Sequence, residues 1–464
     1  MERQVEIMKA YKILLFIVAV IAMLAMLSAF YPSEGMQVTD GLTLRFPSLG
    51  EVLEGNVQEE SEAPEDFLAR REAEILQLRR DGYMRFFSSD SARFYLPGND
   101  LSWFDSFFKA LDSASAQRVR IVHYGDSQIE EDRVSKMIRA KLQKRFGGGG
   151  PGLIPLKGPY YSYSVSETVN KSLRQYSVFN PEGEKLGNKN YGPVGNATRV
   201  DSTIIASFTT PKKGELPPST WFNRLTVLSG NGSLRLGVAK ERQEVEAGKV
   251  LNFNTFNLPD SSSKVSLTLS GYNDIYGVML DMDKGVSLDN VPMRGSGGTI
   301  FTSINKQQLK EFYEHENVKL IILQYGGNVV PYTKTGKAIS NYKQSIEKQI
   351  KYLKDAAPDA SILFIGPSDM STSKNGKMLS YEHLPMLIDS LKAAANDNGA
   401  AYWDLYSAMG GENSMSRWVK AKPALAGSDY IHFTPRGADR MGEMFTNALM
   451  VYYEYYKWRK KNEE

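Results

Sequence analysis

The stretch that most constrains this chain is VRIVHYGDS, Val119–Ser127. A mostly apolar run (Val119, Ile121, Val122, with Arg120 between) stops abruptly at Gly125-Asp126-Ser127. A polar, helix-compatible segment then carries Ile129, Val134, Met137, Ile138 and Leu142. The pattern predicts a strand, a tight turn and a helix. A serine at such a turn has its hydroxyl at the C-terminal end of a strand, beside the free N–H groups of a helix N-terminus, where negative charge is favoured. Gly125 removes the Cβ that would crowd the turn. Taken alone, Gly-Asp-Ser is a common turn tripeptide; its meaning depends on what else the chain brings to it.

The same rhythm returns after residue 285. Strand-like runs at Val286–Val291, Val318–Gln324, Ser361–Ile365 and Ala400–Leu405 alternate with helical segments at Lys306–Tyr313, Tyr342–Leu353 and Leu384–Ala395. With the Val119 strand these predict an α/β fold, a doubly wound sheet of five parallel strands. Such sheets bind ligands at the C-terminal ends of their strands. From about Leu156 to Met282 helical periodicity is absent. Short alternating segments recur there, at Thr203–Phe208, Phe222–Leu228, Ser233–Val238, Val250–Phe256, Val265–Leu269 and Ile275–Met282. They predict an all-β sandwich or jelly roll inserted into the α/β domain. The glycine run Gly147–Gly152 lacks the Lys-Ser/Thr of a phosphate loop and reads as a flexible connection into the insertion. Tyr160, Tyr161 and Tyr163 at its start are able either to stack on sugar rings or to pack the domain interface.

Chemistry-bearing residues sit where the sheet predicts. After the third strand, Gly326-Gly327-Asn328 lets backbone approach a ligand and offers an amide N–H. After the second, Arg294-Gly295-Ser296-Gly297-Gly298 offers backbone N–H donors; Gly295 is the choice, with the neighbouring glycines left open. Near the C-terminus, Asp429-x-x-His432 precedes the helix after Pro435 and is able to place a carboxylate and an imidazole in one cleft. The chain has four histidines and no cysteine. A thiol nucleophile and disulfides are thereby excluded. His123 lies inside the first strand and reads as core, while His315 and His383 read as solvated, which leaves His432 as the base. Ser127 is then the nucleophile and Asp429 the group that orients His432. The Ser127 and Gly295 N–H groups and the Asn328 amide form the oxyanion hole. No cofactor or metal is called for.

The N-terminus bounds the location. Ile13–Phe30 is an uncharged apolar run preceded by Arg3, Lys9 and Lys12. About 18 to 20 such residues span a bilayer, and the flanking charge keeps the N-terminus cytoplasmic. Leu27 stands where a cleavage site wants a small residue, which favours an uncleaved anchor over a signal peptide. The expected organisation is a cytoplasmic tail at 1–12, a transmembrane anchor at 13–31 and a stalk with a surface helix at 32–95. The α/β domain follows at 96–155 and 285–464, with the β insertion at 156–284. The catalytic domain is expected in the periplasm, attached to the inner membrane. The net charge of +3 is spread along the chain and gives no nucleic-acid surface. No motif for a protein partner is visible. The terminal run YYEYYKWRKK at 452–461 reads as the solvated end of the last helix.

Gly125-Asp126-Ser127, a glycine after the second strand, Gly326-x-Asn328 and Asp429-x-x-His432 together resemble the SGNH (GDSL-like) hydrolase family in order and spacing. That family's hallmark residues are Ser, Gly, Asn and His. Val329, where many members have Asp, and Gln128, where others have Leu, His or Val, depart from its pattern without removing a catalytic group. GDSQIEEDRVSKMIRAKLQKRFGGGGPGLIPL, the insertion after it, and YWDLYSAMGG with Trp418 look like the peptidoglycan O-acetylesterase branch, which carries a carbohydrate-binding-like β domain at this place. The resemblance implies a flavodoxin-like fold and removal of O-acetyl groups from an acylated cell-envelope glycan. Two alternatives keep the sequence but change its use: an O-acetyltransferase with the same triad, and a non-catalytic anchored glycan-binding protein.

Overall fold

The structure is a computed structural model describing residues 12, 15–26, 29, 36–39, 42–44, 64–211, 217–245 and 248–462. The chain divides into two compact units, Met1–Asp81 and Gly82–Glu464. In the first, β1 (Met36–Thr39) pairs antiparallel with β2 (Leu42–Leu44), and helix α1 (Pro64–Ser89) begins there, covering the expected surface helix. The expected anchor over 13–31 lies partly outside the described residues. Its described part, 15–26 and 29, is helical, and among the described residues no helix is long and apolar enough to cross a membrane.

The second unit opens with β3 (Phe94–Tyr95), α2 (Asp105–Asp112), β4 (Arg118–Gly125) and α3 (Ser135–Phe146). Ten strands follow: β5 (Gly152–Ile154), β6 (Ser166–Val169), β7 (Arg174–Ser177), β8 (Asn196–Val200), β9 (Ile204–Thr209), β10 (Phe222–Ser229), β11 (Ser233–Val238), β12 (Glu241–Val245), β13 (Asn252–Ser262) and β14 (Lys264–Asp281). The chain then runs β15 (Gly285–Pro292), α4 (Lys306–His315), β16 (Val318–Gln324), α5 (Gly336–Ala356) and β17 (Ser361–Ile365). It continues through the hairpin β18 (Ser371–Lys374) and β19 (Lys377–Ser380), then α6 (Leu384–Asp397) and β20 (Ala401–Trp403). Short helices α7 (Leu405–Ala408) and α8 (Ser414–Lys420) lead to α9 (Pro435–Asn462).

Five parallel strands, ordered β15-β4-β16-β17-β20, form the central sheet, and β3 adds an antiparallel edge. Both faces are covered, so the strands are nearly all apolar. Val122, Ile321 and Phe364 pack toward α4, α5 and α6, while Ile121, Ile322 and Trp403 pack toward α2, α3 and α9. The winding direction reverses between β4 and β16, the place where ligands bind in such sheets.

The inserted strands make a ten-stranded β system. The sequence reading split β14 in two, but it is one strand of 18 residues. Its first half pairs with β9 and β11, its second with β8, β10 and β5. Both halves enclose one core, with Phe208, Leu236 and Leu267 meeting Leu225, Val227 and Val278.

Three other expectations are corrected. The segment after Ser127 is a 3₁₀ turn over Ser127–Asp132, broken where Glu131 and Asp132 take positive φ, and the α-helix starts only at Ser135. The glycine run is a packed seam. A Cβ on Gly148, Gly150 or Gly152 would lie 2.4 Å or less from the Val286 and Leu280 carbonyl oxygens, or 2.5 Å from Asp289 Oδ1. The terminal tyrosines are core: Tyr452 and Tyr456 are at most 2% exposed and extend the Met441, Phe445, Leu449 stripe of α9.

The two layers meet at a buried cluster. Arg120 of β4, fully buried, donates to Asp289 of β15 at 2.5 Å and to Glu316 at 3.0 Å, and also to Asp281 at the end of β14.

Candidate active site

Ser127 begins the turn after β4, half-buried. Gly125 must be small because a Cβ there would lie 2.9 Å from Ile129 Cδ1 and 3.1 Å from the Gln324 carbonyl oxygen. Asp126 is buried beneath the turn and its Oδ1 accepts the Gln128 N–H at 3.0 Å. Burial pushes its carboxyl up to about 6, against the pull of that N–H and of His432.

The loop before α9 returns to this point. Ser127 Oγ and His432 Nε2 are 2.8 Å apart, and His432 Nδ1 is 2.7 Å from Asp429 Oδ2. Asp429 Oδ1 also accepts the N–H groups of Ile431 at 3.0 Å and His432 at 3.1 Å. Partial burial works to raise the Asp429 carboxyl. The imidazole and the two N–H donors outweigh burial and hold it below the ordinary value. The three side chains thus form a relay able to accept a proton from the serine hydroxyl.

Ser127, His432, Gly295 and Asn328 line one cleft of about 590 Å³, and Tyr160 and Tyr161 of the inserted segment line it with them. Asn328 Nδ2 donates to the Ser296 carbonyl at 3.1 Å, leaving the amide's second N–H. Within 295–298, the Ser296 and Gly298 N–H groups are engaged, by the Met293 carbonyl and Ser296 Oγ, and only Gly295 lines the cleft. Among the described residues the N–H groups of Ser127 and Gly295 have no protein acceptor. Free donors beside a nucleophile are what a developing oxyanion needs.

The remaining histidines separate cleanly. His123 is fully buried between Gln324 and Ser135, and burial pushes its imidazole down to about 3. His315 is exposed, as read, with one face stacked on Phe253 at 3.7 Å and a contact to Glu316; His383 is half-buried at the start of α6. Two further residues of the site were given no role by the sequence. Arg294 stands in the cleft 5.5 Å over the Tyr160 ring and 3.5 Å from Glu130, and Gln128 reaches the His432 loop. Arginine beside a candidate oxyanion glycine was a signal that was available; Gln128 gave none.

A serine–imidazole–carboxylate relay beside free N–H donors, at the switch point of a doubly wound sheet, is the equipment of a serine hydrolase. The GDSL-like Lipase/Acylhydrolase family model matches residues 251–445, taking in Gly295, Asn328, Asp429 and His432. Over that stretch the chain is similar to the GDSL-like lipases and acylhydrolases; Ser127 lies outside it, parted from the matched region by most of the inserted strands. A solved structure titled "Peptidoglycan O-acetylesterase in action, 5 min" shares the fold with a TM-score of 0.63, at 18% identity over 77% of this chain and 98% of that one. A Corynascus thermopiles (Myceliophthora fergusii) carbohydrate esterase family 2 enzyme plus carbohydrate binding domain is 12% identical over 61% of this chain and 99% of its own, with a TM-score of 0.27. A family two carbohydrate esterase from Cellvibrio japonicus is 11% identical over 62% and 99%, with a TM-score of 0.25. These last two scores are too low to argue from. No curated protein sequence matches significantly.

Proposed function

We propose that this protein is a serine esterase that removes O-acetyl groups from a cell-envelope glycan, peptidoglycan, on the outer side of the inner membrane. The observation that carries the reading is the shared cleft: Ser127, hydrogen-bonded to His432, opens onto the same space as Tyr160 and the exposed Tyr161. Flat amphipathic rings beside a nucleophile suit a sugar whose acyl group is attacked. The likeness in fold to a peptidoglycan O-acetylesterase supports the same substrate. The apolar run Ile13–Phe30 with its preceding cations supports the location.

In this mechanism Ser127 Oγ attacks the acetyl carbonyl carbon while His432 Nε2 takes its proton. The Ser127 and Gly295 N–H groups and the Asn328 amide hold the oxyanion. Collapse releases the sugar hydroxyl, which leaves with the proton from His432. Water, deprotonated by His432, then cleaves the acetyl-serine and acetate departs.

The test is acetate release from purified O-acetylated peptidoglycan by wild type and Ser127→Ala. Release that vanishes in the variant supports enzyme and substrate together. No release by a wild type that still cleaves a small aryl acetate would reject peptidoglycan hydrolysis and turn attention to another acylated glycan or to acetyl transfer. Inactivity on both would reject the esterase.

A further inference from the structure

His432 sits on a turn with an internal difficulty. Tyr430, between Asp429 and His432, holds φ at 58°, a conformation that costs a non-glycine residue energy. Asp429 Oδ1 and the Gly427 N–H, which donates to the His432 carbonyl at 2.8 Å, shape this turn from within. Neither ties it to the segment that carries Ser127. Gln128 does. Its Nε2 donates to the Ile431 carbonyl at 2.7 Å, and its Oε1 accepts the Phe433 N–H at 3.4 Å. The two bonds bracket His432 on either side along the main chain. Among the described residues, the other hydrogen bond between residues 126–133 and 426–433 is Ser127 Oγ to His432 Nε2 itself. Gln128 is buried, and its own N–H is fixed by Asp126.

We infer that Gln128 is a positioning residue: its side-chain amide sets the distance and aim of the His432 imidazole relative to Ser127. The inference rests on the serine esterase reading. One residue therefore holds the nucleophile's neighbour in the chain while steering the base, so that nucleophile and base move as one body. Hydrolysis of a small aryl acetate and labelling by a fluorophosphonate test it, because both depend on activation of Ser127 and neither depends on the natural substrate.

Gln128→Met keeps the volume and removes both hydrogen bonds. It should lower kcat and the labelling rate about ten- to hundredfold with KM little changed, as expected for a misplaced base. Gln128→Glu keeps an acceptor for the Phe433 N–H and should recover part of that loss. Its carboxylate beside the imidazole favours the protonated form, so the acid limb of kcat/KM should move to higher pH. Should Gln128→Met not fold, the acid limb of Gln128→Glu decides alone. A folded Gln128→Met within twofold of wild type, or a Gln128→Glu profile superimposable on wild type, would overturn the inference. A wild-type Ser127 that neither hydrolyses nor labels would overturn the esterase reading with it.

Discussion

Replacing Asn328 probes the oxyanion hole where the structure allows a magnitude. In the proposed mechanism three donors serve the developing charge: the N–H groups of Ser127 and Gly295 and one N–H of the Asn328 amide, whose other N–H holds the Ser296 carbonyl at 3.1 Å. Loss of one such donor costs about 2.7–4 kcal/mol, or roughly 10²- to 10³-fold in kcat. The cleft is open, so in Asn328→Ala a water takes the vacated place and the direct loss falls at the lower end. The lost bond to Ser296, about 1 kcal/mol, loosens the segment that carries Gly295 and adds to it. The expected loss is therefore a few hundredfold, on the order of 3.5 kcal/mol. It belongs to kcat, because the carbonyl oxygen acquires its charge only in the transition state. Asn328→Asp, which sets a carboxylate against the same oxyanion, should be worse than alanine. Steady-state hydrolysis of an aryl acetate reads both. An Asn328→Ala variant with kcat within threefold of wild type would refute the three-donor hole, and a loss confined to KM would refute its transition-state role.

Further outcomes bear on the rest of the molecule. Asp429→Asn should lower kcat about 10²- to 10³-fold, short of the effect at a fully buried triad because Asp429 is half exposed; stopped assays with an aryl acetate measure it. Arg294→Ala should raise KM for the glycan severalfold and leave the aryl acetate untouched, since Arg294 reaches the cleft beside Tyr160; equal effects on both substrates would exclude a role in sugar binding. Arg120→Met leaves Asp281, Asp289 and Glu316 buried without their shared cation and should cost about 3–5 kcal/mol in urea unfolding. Asp126 ionises less readily folded, at about 6, than its ordinary 3.8. Its contribution favours the folded state below about pH 4 and is lost as pH rises to about 6, a swing of about 3 kcal/mol. Asp126→Asn should flatten the stability profile between pH 4 and 7 by that amount, measured by urea midpoints.

The parallel strands were legible because strands buried on both faces read as continuous apolar runs; VKLIILQ at Val318–Gln324 is one. The edge strand Phe94–Tyr95 is two residues long and gives no period. The middle of β14 misled for another reason. Gly271-Tyr272-Asn273-Asp274 has turn composition, yet Asn273 accepts the Gly230 N–H at 2.9 Å and donates to the Gly232 carbonyl, so a neighbouring loop satisfies it inside a strand. Ser127, Asn328, Asp429 and His432 were legible because their chemistry is in their residue types. Gln128 was not, since its partners are main-chain atoms 303 and 305 positions away.

The inserted layer closes on itself. β5 and β14, its first and last strands, pair at Gly152↔Leu280, Leu153↔Met279 and Ile154↔Val278. Once it has folded, the α/β chain experiences the whole insertion as a short link between β4 and β15, and the entropy of closing that loop has already been met. If the insertion closes first, β5 and β14 should gain amide protection before β15 does, which pulsed hydrogen exchange during refolding measures.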